Sequence, residues 1–426
     1  MTKKLSPVAQ KARDFYLQQA SQDDRSWTQK LRQAFAENAF PTQKDENWQY
    51  TRLTGFLQHS FAQVAAGSLS LDALSDYLPE FEVIRLVFVD GQFSAQLSSD
   101  LAINVKGVSL TVVSGAEAVA DNSTHNERLL QEPMAVLASL QAQAGYALTL
   151  DANAALETPV YVLNVQTQSN MAATVNRIAL AENAEVTVIE HFVSLTGDAV
   201  CAMANNEISV AKHARFKQVV MQQLNTQSFY FNNQFIEQVE ESVANTFFAS
   251  LGGALSRHQN HLYMDGDNIE SIQNSACIAT GKQTVDSRTY TEHNQLNGMS
   301  RQLHKYVLDQ QAVGVFDGMI RVDQQAQKTD GQMDNKNLIL SDTAKMNSKP
   351  QLEIYADDVL CSHGSATGQI DDNQIFYLQA RGISRNKAIQ MITQAFVLEP
   401  LEDINSGVVR HWVEDKVMKT LNQVQS

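Results

Sequence analysis

The feature that most limits what this chain can fold into is a succession of short β-favouring runs spread evenly over residues 148–370. They fall at 160–165, 175–180, 186–193, 207–210, 216–221, 229–236 and 243–249, and continue at 260–264, 271–279, 284–292, 300–308, 313–322, 332–340 and 351–355. Turn formers such as Asn183, Gly197, Asn225, Gly266, Gly281, Gly298, Asp330 and Asp342 separate them. Strands recurring every about 8–12 residues point to a β-sandwich, a barrel or a solenoid. The stretch is too long for one sandwich and has no strong internal break. Asn, Gln, Ser, Thr and Ala fill many of the runs, as happens when like stacks on like along a β-helix. No strict repeat period is visible, so spacing alone leaves these architectures open.

The flanks read differently. Residues 1–80 are expected to be mainly helical, because Val8, Ala12, Phe15 and Tyr16 recur at helical spacing, as do Trp27, Leu31 and Phe35. Pro41 and Thr42 interrupt, followed by Glu46-Asn47-Trp48-Gln49-Tyr50-Thr51. Residues 81–147 suggest a small mixed α/β unit: a β-rich run at 81–89, the hairpin dipeptide Asp90-Gly91, more strand within 101–113, and a helix over 132–145 ending at glycine. After a large β unit at 148–370, residues 371–426 return to helix. Ser384 is placed to cap a helix carrying Ile389, Ile392 and Phe396 on one face, stopped by Glu399-Pro400. A second helix at about 404–421 has one stripe of Ile404, Val408 and Trp412 and another of Val409, Val413, Val417 and Leu421. Such stripes must be buried on the β unit or on a partner. The open ends of a solenoid must also be capped or shared, so association is expected.

Composition narrows the function. With 47 acidic against 32 basic side chains and a net charge of −15, the chain lacks the cationic surplus that nucleic-acid binding requires. No run of about 20 apolar residues is present, so no membrane span is expected. Met1-Thr2-Lys3-Lys4 leads into a mostly polar 5–14 without the apolar stretch of a signal peptide. Three cysteines (Cys201, Cys277 and Cys361) make no disulfide framework. A cytoplasmic protein with reduced thiols is the expectation.

Chemistry concentrates at Cys361-Ser362-His363-Gly364. In an extended strand Cys361 and His363 share a face, their Cα atoms roughly 7 Å apart, within reach of one metal ion or sulfur species. Elsewhere plainer roles are expected. Cys201 and Cys277 read as core residues. His258 and His261, three apart in a strand region, point to opposite faces, and His293 and His304 read as satisfied polar residues. Asp357-Asp358 and Asp371-Asp372 suit turns and helix caps better than calcium or glycosidase carboxylates. Trp48 and Tyr50 read as a packing anchor.

The order of residues in the second half carries a family resemblance. Gly253-Ala254, residues 288–293, Lys305-Tyr306 and Ala312-Val313-Gly314-Val315-Phe316-Asp317-Gly318 are part of it, with Gln332-Met333-Asp334-Asn335-Lys336-Asn337-Leu338-Ile339-Leu340. Ala344, residues 347–359 and residues 361–368 continue it. Together they resemble the core of the SufB/SufD family, scaffold subunits of iron–sulfur cluster assembly, and more weakly so do residues 46–51 and 86–91. Chain length, the N-terminal segment and the sparse cysteines favour the SufD branch. The resemblance implies a right-handed parallel β-helix flanked by helices, and a heterodimer with SufB through the C-terminal part of the solenoid. It also implies docking of the SufC ATPase on the C-terminal helices, with Ile389, Ile392, Phe396, Val408 and Trp412 as candidate contacts. The sequence leaves open whether a homodimer forms when the partner is missing. The chain itself has no Walker A sequence, so a non-catalytic scaffold role is expected.

By the same resemblance, His363 and Cys361 are candidate ligands of a transient iron–sulfur cluster at the SufB interface, since imidazole can replace a thiolate on iron. A flavin stays unassigned because no Gly-rich dinucleotide fingerprint is visible. Two rival functions compete: a structural adaptor that contributes no ligand, and a β-helix enzyme acting on acidic polysaccharides, an analogy from fold alone.

Overall fold

In the computed structural model, which describes residues 5–20, 25–118 and 126–424, the β-runs coil into a parallel solenoid. Each turn gives one strand to each of two facing sheets, and the strands are mostly ten residues long. Eight such pairs run from Ala144–Leu150 with Ala155–Gln166 to Lys345–Ile354 with Leu360–Gly368. Leu255, Thr284 and Val313 lie side by side, 29 residues apart. The step is 26 residues from Phe229 to Leu255 and 32 from Val313 to Lys345. That drift hides the period in the sequence.

The corners repeat more faithfully than the strands. Where the chain passes from the nine-stranded to the ten-stranded sheet, one residue in each of the first seven turns takes the left-handed backbone conformation. These are Asn153, Asn183, His213, Glu241, Asn268, Asn297 and Lys328, with φ between 57° and 64°. Each donates its N–H to a carbonyl of the next turn, as from Asn183 to Lys212 at 3.0 Å and from Asn268 to Leu296 at 3.0 Å. The backbone ladder, more than the residue type, specifies this corner.

Alternation along the strands sends one set of side chains inward and the other onto the outer faces. The N-terminal helices Pro7–Gln19 and Ser26–Asn38, with the helix Pro133–Leu140, bury the outer face of the nine-stranded sheet through Phe229, Phe231, Phe235 and Cys201. The C-terminal helices Arg385–Leu398 and Gly407–Val424 cover the other outer face, packing Val397, Val413 and Val417 against Ile189, Val219 and Phe247.

The two ends differ. At the N-terminal end the nine-stranded sheet finishes in the antiparallel strand Val108–Ser114, and the ten-stranded sheet in the hairpin Ile84–Val89/Gln92–Phe93. Its turn is Asp90-Gly91 as expected, with φ of 52° and 87°. At the C-terminal end the outermost strands, Lys345–Ile354 and Leu360–Gly368, each have a strand neighbour on one side only among the described residues.

Several expectations need correcting. The helix expected over 132–145 stops at Leu140, and Gly145 belongs to the strand Ala144–Leu150, where a Cβ would overlap the Val175 carbonyl. Beyond Asn38 the N-terminal region contains 3-10 turns only, at Glu46–Trp48, Phe56–Gln58 and Asp72–Leu74. Within the helical region expected from 371, a separate helix forms at Asp372–Gln379, ahead of the one expected after Ser384, and Asp371 takes the capping role by accepting from the Asn373 N–H at 2.8 Å.

Candidate functional site

The strand Leu360–Gly368 carries the Cys-x-His pair as the outermost member of the ten-stranded sheet. Cys361 lies in register with Gly331 and His363 with Met333, which is buried in the solenoid interior. Side chains in register on parallel neighbours share a face, so Cys361, His363 and Ser365 all point to the inner side of the last turn. The Ser365 and Ser348 hydroxyls meet at 2.8 Å, which ties the two last strands together.

The two candidate ligands have different surroundings. Cys361 is half-buried against the interior core. Its Sγ sits over Gly331, where a Cβ would lie only 3.4 Å from the sulfur. Burial pushes the thiol up from its ordinary value, the Gly331 backbone N–H pulls it part-way back, and the Asp330 carboxylate raises it again. The resting group is a neutral thiol, which a bound cation would convert to thiolate. His363 is exposed at the open end. Among the described residues no group of three or more His, Cys, Asp and Glu can hold a metal ion.

The remaining candidates are structural. Cys201 lies under the N-terminal helices and Cys277 inside the solenoid, where burial pushes its thiol up to about 12. His258 faces inward and stacks on Phe248 at 4.1 Å, whereas His261 faces outward on Phe235 at 4.9 Å, as their spacing requires. His293 and His304 are buried and bonded to Ser300 and Ser275 at 2.9 and 2.8 Å. Trp48 is an anchor: it is buried beneath the Arg257 guanidinium at 3.9 Å, while Tyr50 is exposed. Arg257 in turn pairs with Asp286, which also accepts from the Thr51 hydroxyl, and donates to the Asn47 carbonyl at 2.8 Å.

Comparison with known proteins gives this geometry its context. The family model described as "SUF system FeS cluster assembly, SufBD core domain" matches residues 162–396. The chain belongs to the SufBD family. The iron–sulfur cluster assembly protein SufD of Escherichia coli (strain K12) is 34% identical over 395 residues, covering 91% of each chain. A SufBD family protein of Synechocystis is 30% identical over 382 residues, covering 85% of this chain and 84% of its own. The SufD of Bacillus subtilis is 23% identical over 414 residues, covering 90% and 93%. This is a SufD-like iron–sulfur cluster assembly protein of the SUF system. The matched core includes Cys361 and His363, and no helix among its described residues is long and apolar enough to cross a membrane.

The C-terminal helices of this SufBD protein present a different surface from the one expected. Trp412 is turned into the chain, edge-on to Tyr161 at 5.7 Å, His191 at 5.6 Å and Phe81 at 6.3 Å, which removes it from any partner-facing surface. Ile404 is buried beside it. Ile389 and Ile392 are half-buried, and Phe396 lies beneath the Lys305 ammonium at 4.3 Å. Val408 is 58% exposed. The largest exposed apolar side chains here sit on the helix Asp372–Gln379: Phe376 is 71% and Tyr377 58% exposed. Two neighbouring aromatics just after an Asp cap were the signal available in the sequence.

Proposed function

We propose that this SufBD protein is the non-catalytic SufD-type subunit of a cytoplasmic scaffold that pairs with SufB and is driven by the SufC ATPase. A nascent cluster would be held where the solenoid ends of the two subunits meet. The observation that carries this reading is the thiol of Cys361 and the imidazole of His363 on the inner side of the outermost strand, at the solenoid end that no antiparallel strand closes among the described residues. Unpaired strand edges invite another chain to continue the sheets. Leu360, 74% exposed, with Tyr355 and Ile354, adds apolar surface at the same end. A second subunit arriving there brings the ligands that the pair lacks.

In this reading His363 is a ready donor, exposed and needing no rearrangement. Cys361 becomes a thiolate as iron binds and its proton leaves. An incomplete shell suits transfer, because ligands that release a cluster must not enclose it. SufC would dock on the C-terminal helices through Val408, Ile389 and Ile392, with Phe376, Tyr377 and Met391 enlarging that surface.

The test uses the SufB–SufC complex of this chain, purified anaerobically, with iron and sulfide quantified. His363→Ala is expected to lower cluster content several-fold while the subunits still co-purify, and Cys361→Ala to lower it less. Full cluster content in both variants would reduce the chain to a structural adaptor.

A further inference from the structure

The interior of the solenoid is not uniformly apolar. Asn206, Gln234, Asn260 and Thr289 stack in register as one inward column of the nine-stranded sheet. Facing them, Gln218, Thr246, Gln273 and Gln302 form a column of the ten-stranded sheet. Between the columns lies a small cavity with a free volume of about 10 Å³, whose polar border of Gln234, His258, Asn260, Gln273 and His304 meets an apolar wall of Val220 and Phe248.

Several buried polar atoms on this border have no partner: both amide atoms of Gln234, Nδ1 of His258, Oδ1 of Asn260 and Oε1 of Gln273. Amide rotation does not cure this. Asn260 already donates to the Thr246 hydroxyl at 3.1 Å and Gln273 to the Thr291 hydroxyl at 2.6 Å, so a flip only exchanges the orphaned atom. A buried polar atom left unpaired is costly, and native proteins keep few of them, so several around one space call for a shared partner. The space is just large enough for a single water.

The ligand chemistry follows from the lining. Among the described residues no carboxylate, lysine or arginine borders the cavity, and burial holds both His258 and His304 neutral. A metal ion or an inorganic anion would find no counter-charge there. The orphaned atoms include a donor (the Gln234 amide N–H) and acceptors (the Asn260 and Gln273 oxygens), so the occupant must both accept and donate. We infer that the solenoid holds an integral bound water at this point, bridging Gln234, His258, Asn260 and Gln273 across the two sheets.

Diffraction from the wild-type protein, at a resolution that shows ordered solvent, should reveal one peak within hydrogen-bond reach of at least two of these side chains. Oxygen-17 magnetic relaxation dispersion should count one long-lived water fewer in Gln234→Met than in wild type. A dry or collapsed cavity in the wild-type density, or equal counts in the two proteins, would overturn the inference. Should Gln234→Met fail to fold, wild-type dispersion with no long-lived water overturns it equally.

Discussion

The middle of the solenoid and its last turn are built from the same strands in the same register, yet they meet opposite conditions. In the strand Leu255–Met264 every residue is buried, with a strand on either side. In Leu360–Gly368 most residues are exposed and one edge has no neighbour among the described residues. The difference teaches that a repeating fold gains its rigidity from neighbours on both sides. A terminal turn keeps the geometry while leaving its polar groups and side chains available. Candidate ligands placed there are aligned by the coil and still reachable.

The largest effect expected from breaking the covered region comes at Asp286. Asp286→Ala strands the buried Arg257 guanidinium and frees Thr51 and Asn47, which rest on the pair. Loss of one partner of a buried ion pair costs about 3–5 kcal/mol. Chemical denaturation should show that loss, with faster proteolysis between residues 41 and 51. Unchanged stability would mean that the N-terminal segment is held elsewhere.

A somewhat smaller and pH-dependent effect is expected inside the coil at Glu190. Its carboxylate accepts from Asn176 at 3.2 Å, Asn206 at 2.8 Å and Tyr146 at 3.1 Å, with no cation alongside. Burial pushes it up to about 7, against those hydrogen bonds, from an ordinary 4.5. The folded chain therefore holds this proton more tightly than the unfolded one. The resulting stabilisation is full below about pH 4.5 and fades as pH rises through about 7. Above that range the buried charge costs about 3 kcal/mol. Glu190→Gln should recover most of it at pH 8 and little at pH 4.5, measured by denaturant midpoints. An equal gain at both values would remove Glu190 as the cause.

The smallest effect on the isolated chain belongs at the open end. Leu360→Ser should change stability by less than about 0.5 kcal/mol, while weakening the proposed association with SufB in sedimentation. A large loss of stability in the monomer would show that the last turn is already closed within the chain.

How much of this was legible depended on what each element needs from its neighbours. All fourteen β-runs fall on solenoid strands, because β-branched and aromatic residues mark a strand wherever it pairs. The repeat escaped notice because its defining residue varies between Asn153, His213, Glu241 and Lys328, whose common property is a backbone angle. Gly145 read as a helix stop, since nothing local announces that the Val175 carbonyl crosses it. Cys361 and His363 were correctly expected to share a face, because alternation is local. Trp412 was not placed correctly, because a stripe on a helix does not say which body it meets.

The left-handed corners carry a consequence for the molecule's proportions. Since each is held by backbone bonds to the next turn and accepts many side chains, whole coils can be gained or lost without redesigning either end. Every coil advances the axis by about 4.8 Å, so the solenoid acts as a ruler marked in fixed steps. The reach from the capping hairpin at Asp90-Gly91 to the imidazole of His363 would then change only in whole divisions, and two such subunits of matched length would present their tips at one height.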